Sequence, residues 1–184
     1  HGFYVGRTKR GCHCGGGIRN LNTGIYESCN AYFANAYRKI YDKYETTDEG
    51  HDVWEKHIKS FGLGQYLGSD LHTGRKGRVP DKAMYDKWYG DNRWVSSYII
   101  SNSIGQGEVA VTPLQLANMT AAIANRGHFF TPHVLKKVNG EDIKNPEFTE
   151  ARHTSIDKRH FEPVVQGMAD VYEKGTARGV QIPD

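Results

Sequence analysis

The chain has 184 residues, 38% of them hydrophobic and 24% charged, with a formal net charge of +3. That length suits one domain or a large piece of one, and the near balance of 24 basic and 21 acidic residues argues against a nucleic-acid binder. No apolar run approaches the ~18–20 residues of a membrane span, the 3 Cys can close at most one internal disulfide, and a start at His1 without a leader pattern is read as a segment of something longer.

Residues 1–21 read as a Gly-rich basic leading loop, with Arg7, Lys9 and Arg10 ahead of Cys12-His13-Cys14-Gly15-Gly16-Gly17. From 22 to 44 the pattern turns helical: Tyr32, Phe33, Ala36, Tyr37, Ile40, Tyr41 and Tyr44 recur three and four apart on one apolar face. A second helix is expected over 52–61, capped by Asp52, with Val53, Trp54, His57, Ile58 and Phe61 inward and Gly62 as its stop. Residues 62–94, rich in Gly, read as a long irregular loop with one short helix starting at Pro80. Residues 95–100 fit a strand or a buried turn. Thr112-Pro113-Leu114-Gln115 is the clearest helix start, because Thr caps, Pro suits the first turn and Gln stands where a capping box needs it. That helix stops before Gly127. Residues 129–138 read as extended, and a last helix spans 162–174, ended by Gly175. The fold class is mainly α.

Four local patterns invite chemistry. Gly105-Gln106-Gly107-Glu108-Val109-Ala110 matches a dinucleotide fingerprint, but the next helix starts at Thr112, too late to hold a pyrophosphate, so it reads as a Gly turn. Cys12, His13, Cys14 and Cys29 are of metal-ligand type. Their spacing matches no zinc-finger pair, which leaves zinc and a locally packed loop as alternatives. Ser155-Ile156-Asp157-Lys158 matches S-x-x-K, yet Arg152, His153, Arg159 and His160 around it make a polar surface stretch without a buried base, so Ser155 is not read as a nucleophile. Ser28-Cys29-Asn30 matches S-x-N at the start of the aromatic helix. A hydroxyl and an amide at such a junction can both face a cleft; the plainer alternative is a helix cap.

Order adds meaning. Ser28-Cys29-Asn30-Ala31-Tyr32-Phe33, Ser103-Ile104-Gly105-Gln106-Gly107, Thr112-Pro113-Leu114-Gln115-Leu116-Ala117, Ala124-Asn125-Arg126-Gly127, and Gly167-Met168 followed by Gly175-Thr176-Ala177 occur in that sequence. They resemble the class B penicillin-binding proteins: the second active-site motif, the I-G-Q-G turn, the T-P-L-Q helix, the A-N-x-G stop, and the G-T-A stretch leading to the K-T-G strand. Phe61-Gly62-Leu63-Gly64 and the loop after it resemble the elongation-type branch, penicillin-binding protein 2. Two features depart from the family: no S-x-x-K precedes Ser28, and Lys174-Gly175-Thr176 is K-G-T, with no K-T-G before Asp184. The resemblance therefore implies that 1–184 is a partial transpeptidase domain. It would be the helical subdomain of the β-lactamase/transpeptidase-like serine acyltransferase fold, an α+β parent, lacking most of the central sheet.

The resemblance implies a peptidoglycan D,D-transpeptidase that cross-links stem peptides through an acyl-serine and is the target of β-lactams. In that chemistry Ser28 relays the proton to the leaving amine and Asn30 donates to the substrate carbonyl. It implies no cofactor, with zinc on Cys12, His13, Cys14 and Cys29 as the exception left open. It also implies elongation-machinery membrane proteins as partners, no nucleic acid, and a periplasmic site behind an inner-membrane anchor. The segment alone is expected to be inactive. Two rival readings are a non-catalytic helical binding or scaffold module, and a β-lactam-sensor or division-type relative.

Overall fold

Side-chain caps set most of the helix starts. In the computed structural model, which describes residues 2–17, 19–68, 70 and 74–180, Asn20 accepts from the Thr23 amide to open α1 (Leu21–Tyr26). Thr46 accepts from Glu49 to open α3 (Thr47–Ser60), and Asp81 accepts from Met84 to open α4 (Lys82–Tyr89). Thr112 and Gln115 close the expected capping box on α5 (Pro113–Ala124). The start of α3 corrects the one expected at Asp52. Thr46 satisfies an amide of the first turn, and Asp48 and Glu49 there complement the helix dipole, so the helix nucleates earlier.

The single helix expected over 22–44 is two, α1 and α2 (Asn30–Tyr41). Between them the Cys29 amide donates to the Gly24 carbonyl at 2.9 Å and the Ser28 amide to Ile25 at 3.0 Å. Ser28 has φ +52°. This is a Schellman stop with Ser in the left-handed position that Gly usually takes. The basic stretch up to Gly11 is also more regular than a loop. Strands β1 (Gly2–Val5) and β2 (Thr8–Gly11) pair antiparallel with Phe3 opposite Arg10, and the hairpin buries Phe3. Its alternation of inward Phe3 and outward Tyr4 was too short to register as a period.

Residues 95–100 take the turn alternative, leading into a 3-10 helix over Ile100–Ile104. The extended arm is only partly strand: β3 (His128–Phe129) pairs with β6 (Arg152–His153), and β4 (Lys137–Val138) pairs with β5 (Glu141–Asp142). The last helices are α6 (Pro146–Thr149) and α7 (Phe161–Glu173). Of the described residues 44% are helical, and the sheets among them are two-stranded ribbons, as a helical subdomain requires.

Helix α2 runs through the core. Its Ala31, Ala34, Tyr37 and Tyr41 are buried among Trp54 of α3, Tyr85 of α4, Trp94, Ile99 and Ile100. Full burial of an aliphatic side chain such as Ile99 contributes roughly 1.5–3 kcal/mol. The neighbouring face of α2 departs from expectation: Phe33, Ala36 and Ile40 line an open apolar groove of about 580 Å³ with Ile58 and Met119. Helix α7 lies on α1 through Gly167, where a Cβ would come within 2.8 Å of Ile25.

Gln115 is one of the side chains that tie down the 62–94 segment, of which 69 and 71–73 lie outside the described residues. Gln115 is 1% exposed; its Nε2 donates to the carbonyls of Gln65 and Lys76, both at 2.9 Å. Its Oε1 accepts the Thr112 amide at 2.9 Å.

Candidate functional site

Two motif residues expected in catalysis lie at the elbow between α1 and α2. Ser28 is exposed and Asn30 half-buried. Ser28 is the left-handed residue of the Schellman stop, and Asn30 is the first residue of α2. Neither supplies the cap: Asn20 caps α1, and α2 begins at Cys29 with no side-chain cap bond. Among the described residues no hydrogen bond engages Ser28 Oγ or the Asn30 carboxamide. A non-Gly residue in the left-handed region costs roughly 1–2 kcal/mol, and such strain concentrates at functional positions.

The far end of the chain braces this elbow. The Thr176 amide donates to the Tyr26 carbonyl at 3.0 Å, and a Cβ on Gly175 would fall 2.3 Å from that same oxygen. Buried Asp170 of α7 accepts from Asn22 at 2.7 Å and pairs with Lys174 at 2.9 Å. Lys174 first, then Asn22, hold the Asp170 carboxyl below the usual carboxylate range. The G-T-A stretch thus borders the end of α1, at Tyr26 and Glu27, across a pocket of about 610 Å³ that also takes in His13 and Arg19 but is not lined by Ser28 or Asn30. Arg19 and Glu27 pair at 2.7 Å.

Three of the four metal-ligand candidates come together under the elbow. The sulfurs of Cys14 and Cys29 lie 2.6 Å apart, Cys12 and Cys14 2.8 Å, and Cys12 and Cys29 3.8 Å. None of the three is in a disulfide. His13 stands apart, with Nε2 on the Glu27 carbonyl at 2.9 Å. Burial raises the Cys12 thiol, but hydrogen bonds from Cys14 and from the Ala31 amide outweigh it and bring the group down to about 7. Burial, then the neighbouring sulfurs, push Cys14 up to about 12. Zinc takes thiolate ligands at ~2.3 Å in a tetrahedron, which puts sulfurs about 3.8 Å apart. The Cys12–Cys29 spacing meets this already, and the other two must open by about 1 Å.

Ser155 lies on the surface, where its Oγ meets His57 Nδ1 at 2.7 Å and Ser60 Oγ at 3.0 Å. Lys158 is on a 3-10 turn, Lys158–His160. The structure also brings forward a residue the sequence reading passed over. Asn102 accepts the Glu108 amide at 2.8 Å on Oδ1 and donates to Tyr85 at 2.8 Å, pinning the I-G-Q-G turn. Its one signal was its place immediately before Ser103.

Comparisons with known proteins identify the family. The family model "Penicillin binding protein transpeptidase domain" matches residues 6–184. The chain is 31% identical over 172 residues to peptidoglycan D,D-transpeptidase MrdA of Acinetobacter baumannii, covering 92% of this chain and 24% of that protein. It is 28% identical over 168 residues to MrdA of Escherichia coli, covering 89% and 25%. It is similar to Pseudomonas aeruginosa PBP2 in complex with WCK 5153, with a TM-score of 0.79, 28% identity and coverage of 97% and 40%. It is also similar to the Helicobacter pylori PBP2–MreC complex, with a TM-score of 0.74, 27% identity and coverage of 97% and 31%. The chain spans about a quarter of the length of these curated relatives. A family match running from the hairpin past the G-T-A stretch takes in the S-x-N elbow, the Asn102 turn and the α5 cap together, and the chain belongs to the penicillin binding protein transpeptidase domain family.

Proposed function

We propose that the chain is the helical part of a peptidoglycan D,D-transpeptidase, in which Ser28 and Asn30 serve an acyl transfer whose nucleophilic Ser and Lys come from an S-x-x-K motif elsewhere in the protein. The observation that carries this is the elbow: a strained, exposed Ser and a helix-first Asn, neither consumed in capping. Ser28 Oγ, without a competing partner, passes a proton between the base and the leaving amine. The Asn30 amide donates to the carbonyl of the bound stem peptide or β-lactam. Support for the substrate class comes from the names of the relatives, which are D,D-transpeptidases. The H. pylori relative was solved with MreC, and for this chain we propose a membrane-protein partner of the same elongation class. The location we propose is periplasmic, behind an anchor outside these residues; no described helix is long and apolar enough to cross a membrane. The 184 residues alone are expected to take no stable penicillin adduct, because their S-x-x-K serine, Ser155, is exposed and its Lys158 lies exposed on a 3-10 turn rather than buried behind it as a base.

The test is Ser28→Ala in the full-length protein. Acylation by a fluorescent penicillin should slow by about 10²–10⁴-fold, the range for a proton-transfer group, with unfolding unchanged. Acylation at the parent rate would remove Ser28 from the mechanism.

A second reading rests on the thiol trio. We propose that Cys12, Cys14 and Cys29 bind one zinc ion, which when bound would supply a structural cross-link from the 12–17 loop to the start of α2. Plasma mass spectrometry of protein equilibrated with micromolar zinc should find about one ion per chain, lost in Cys29→Ser. Three titratable thiols and no bound metal would overturn it, as would a Cys14–Cys29 disulfide in the protein as isolated.

A further inference from the structure

A run of polar groups crosses the core from α3 to the Asn102 turn, its hydrogen-bond directions set at His51 and the Asn102 carboxamide oriented at the other end. At one end His51, fully buried, points Nε2 at the Pro80 carbonyl at 3.0 Å. A carbonyl only accepts, so Nε2 carries the proton and Nδ1 is bare. Nδ1 lies 3.0 Å from Tyr41 Oη, which must donate to it. Tyr41 Oη then accepts from Tyr37 Oη at 2.9 Å. At the other end Asn102 Oδ1 accepts two backbone amides, Glu108 at 2.8 Å and Val109 at 3.4 Å. Its Nδ2 therefore faces the phenols, donating to Tyr85 at 2.8 Å, with Tyr37 beside it. Tyr85 passes its own proton to Glu108 Oε2 at 3.2 Å. Each donor is used once, the His51 end sets the direction on Tyr41 and Tyr37, and the Asn102 end offers Tyr37 no acceptor.

We propose that this His51–Tyr41–Tyr37–Asn102 relay is an acid-sensitive lock that holds the 102–109 turn on α2. A second proton on His51 would make Nδ1 a donor. Tyr41 would have to turn its hydrogen to Tyr37, and Tyr37 would turn its own toward Asn102, which presents only N–H. One buried donor would lose its acceptor wherever the chain reorganised, and the Asn102 end of the relay would loosen.

The surroundings set the direction. Burial, the largest influence, pushes His51 below its ordinary 6.5. The Pro80 carbonyl and the carboxylates of Asp52 and Glu55 on α3 and of Asp81 before α4 pull the other way. The remaining neighbours are the phenols of Tyr41 and Tyr85 and the rings of Trp54 and Trp94. Because the folded value is depressed, the unfolded chain protonates first. The stabilisation is complete above about 6.5 and declines as pH falls from there toward the folded value, by up to tenfold in the folding constant per pH unit. The relay stands whether or not the acyl-transfer reading holds.

The test is made on the full-length protein. Nitrogen-15 NMR of labelled histidine should show His51 in the Nε2–H form and still neutral at about pH 6, where exposed histidines are largely protonated. The exchange protection of the Glu108 and Val109 amides should fall with pH below 6.5. Tyr41→Phe, which removes the donor to Nδ1, should move the His51 titration up toward the ordinary value. His51→Gln, which keeps an N–H for Pro80 and cannot titrate, should flatten the fall in stability between pH 7 and 5. An Nδ1–H tautomer, an ordinary His51 titration, or unchanged protection at Glu108 and Val109 down to pH 5 would overturn the proposal. Should His51→Gln fail to fold, the NMR and Tyr41→Phe measurements decide alone.

Discussion

The two ends of α2 are built on opposite terms. At its start, Ser28 is held in a left-handed conformation with its hydroxyl unengaged, and Asn30 follows it with a free carboxamide. Farther along, Tyr37 and Tyr41 belong to a buried relay in which every proton has one acceptor. An unfilled polar group is tolerable on the exposed elbow because water or a substrate can satisfy it. The same group in the core would cost its full desolvation. The contrast separates side chains kept available for a ligand from those consumed in positioning the backbone, without reference to any motif.

Mutations at the two kinds of position should fail differently. The largest stability effect is expected at Gln115, where Gln115→Leu leaves the carbonyls of Gln65 and Lys76 and the Thr112 amide without partners. A loss of about 3 kcal/mol or more in urea unfolding should follow. Penicillin acylation should fall only as far as the folded fraction does. Smaller, and opposite in sign, is Ser28→Gly, which relieves the left-handed strain and should stabilise the protein by about 1 kcal/mol while acylation still drops. A destabilised Ser28→Gly would mean that the hydroxyl is consumed in the fold after all. Thr112→Ala should cost about 1 kcal/mol through its cap on α5 and leave acylation kinetics of the folded protein alone.

Local chemistry explains what the sequence made readable. The α5 start was legible because Thr112, Pro113 and Gln115 act within one turn, and the end of the last helix at Gly175 was legible for the same reason. The break at Ser28 was hidden because Ser carries no left-handed signature, although α1 ends there in a Schellman stop beside α7. The early start of α3 was missed because Asp52 looked like a cap, while Thr46 lay beyond the apolar run. At the site, the S-x-N tripeptide and the thiols were visible as residue types. That three sulfurs converge and His13 turns away depends on the β1–β2 hairpin, which is set by pairing rather than by periodicity. Asn102 and His51 could not be singled out, since their importance lies in partners 17 and 29 residues distant.

The seam between α1 and α7 has a temporal consequence. Asn22 meets Asp170 across 148 residues of sequence. At roughly 5–20 residues per second, the ribosome delivers the second partner about 7–30 s after the first. Until then the elbow that carries Ser28 has no brace at Tyr26 or Ile25, and loop closure over so long a span comes late in folding. The stretch with its three thiols therefore emerges well before the helix that braces the elbow beside it. During that interval Cys12, Cys14 and Cys29 are open to whatever oxidant or metal the nascent chain meets.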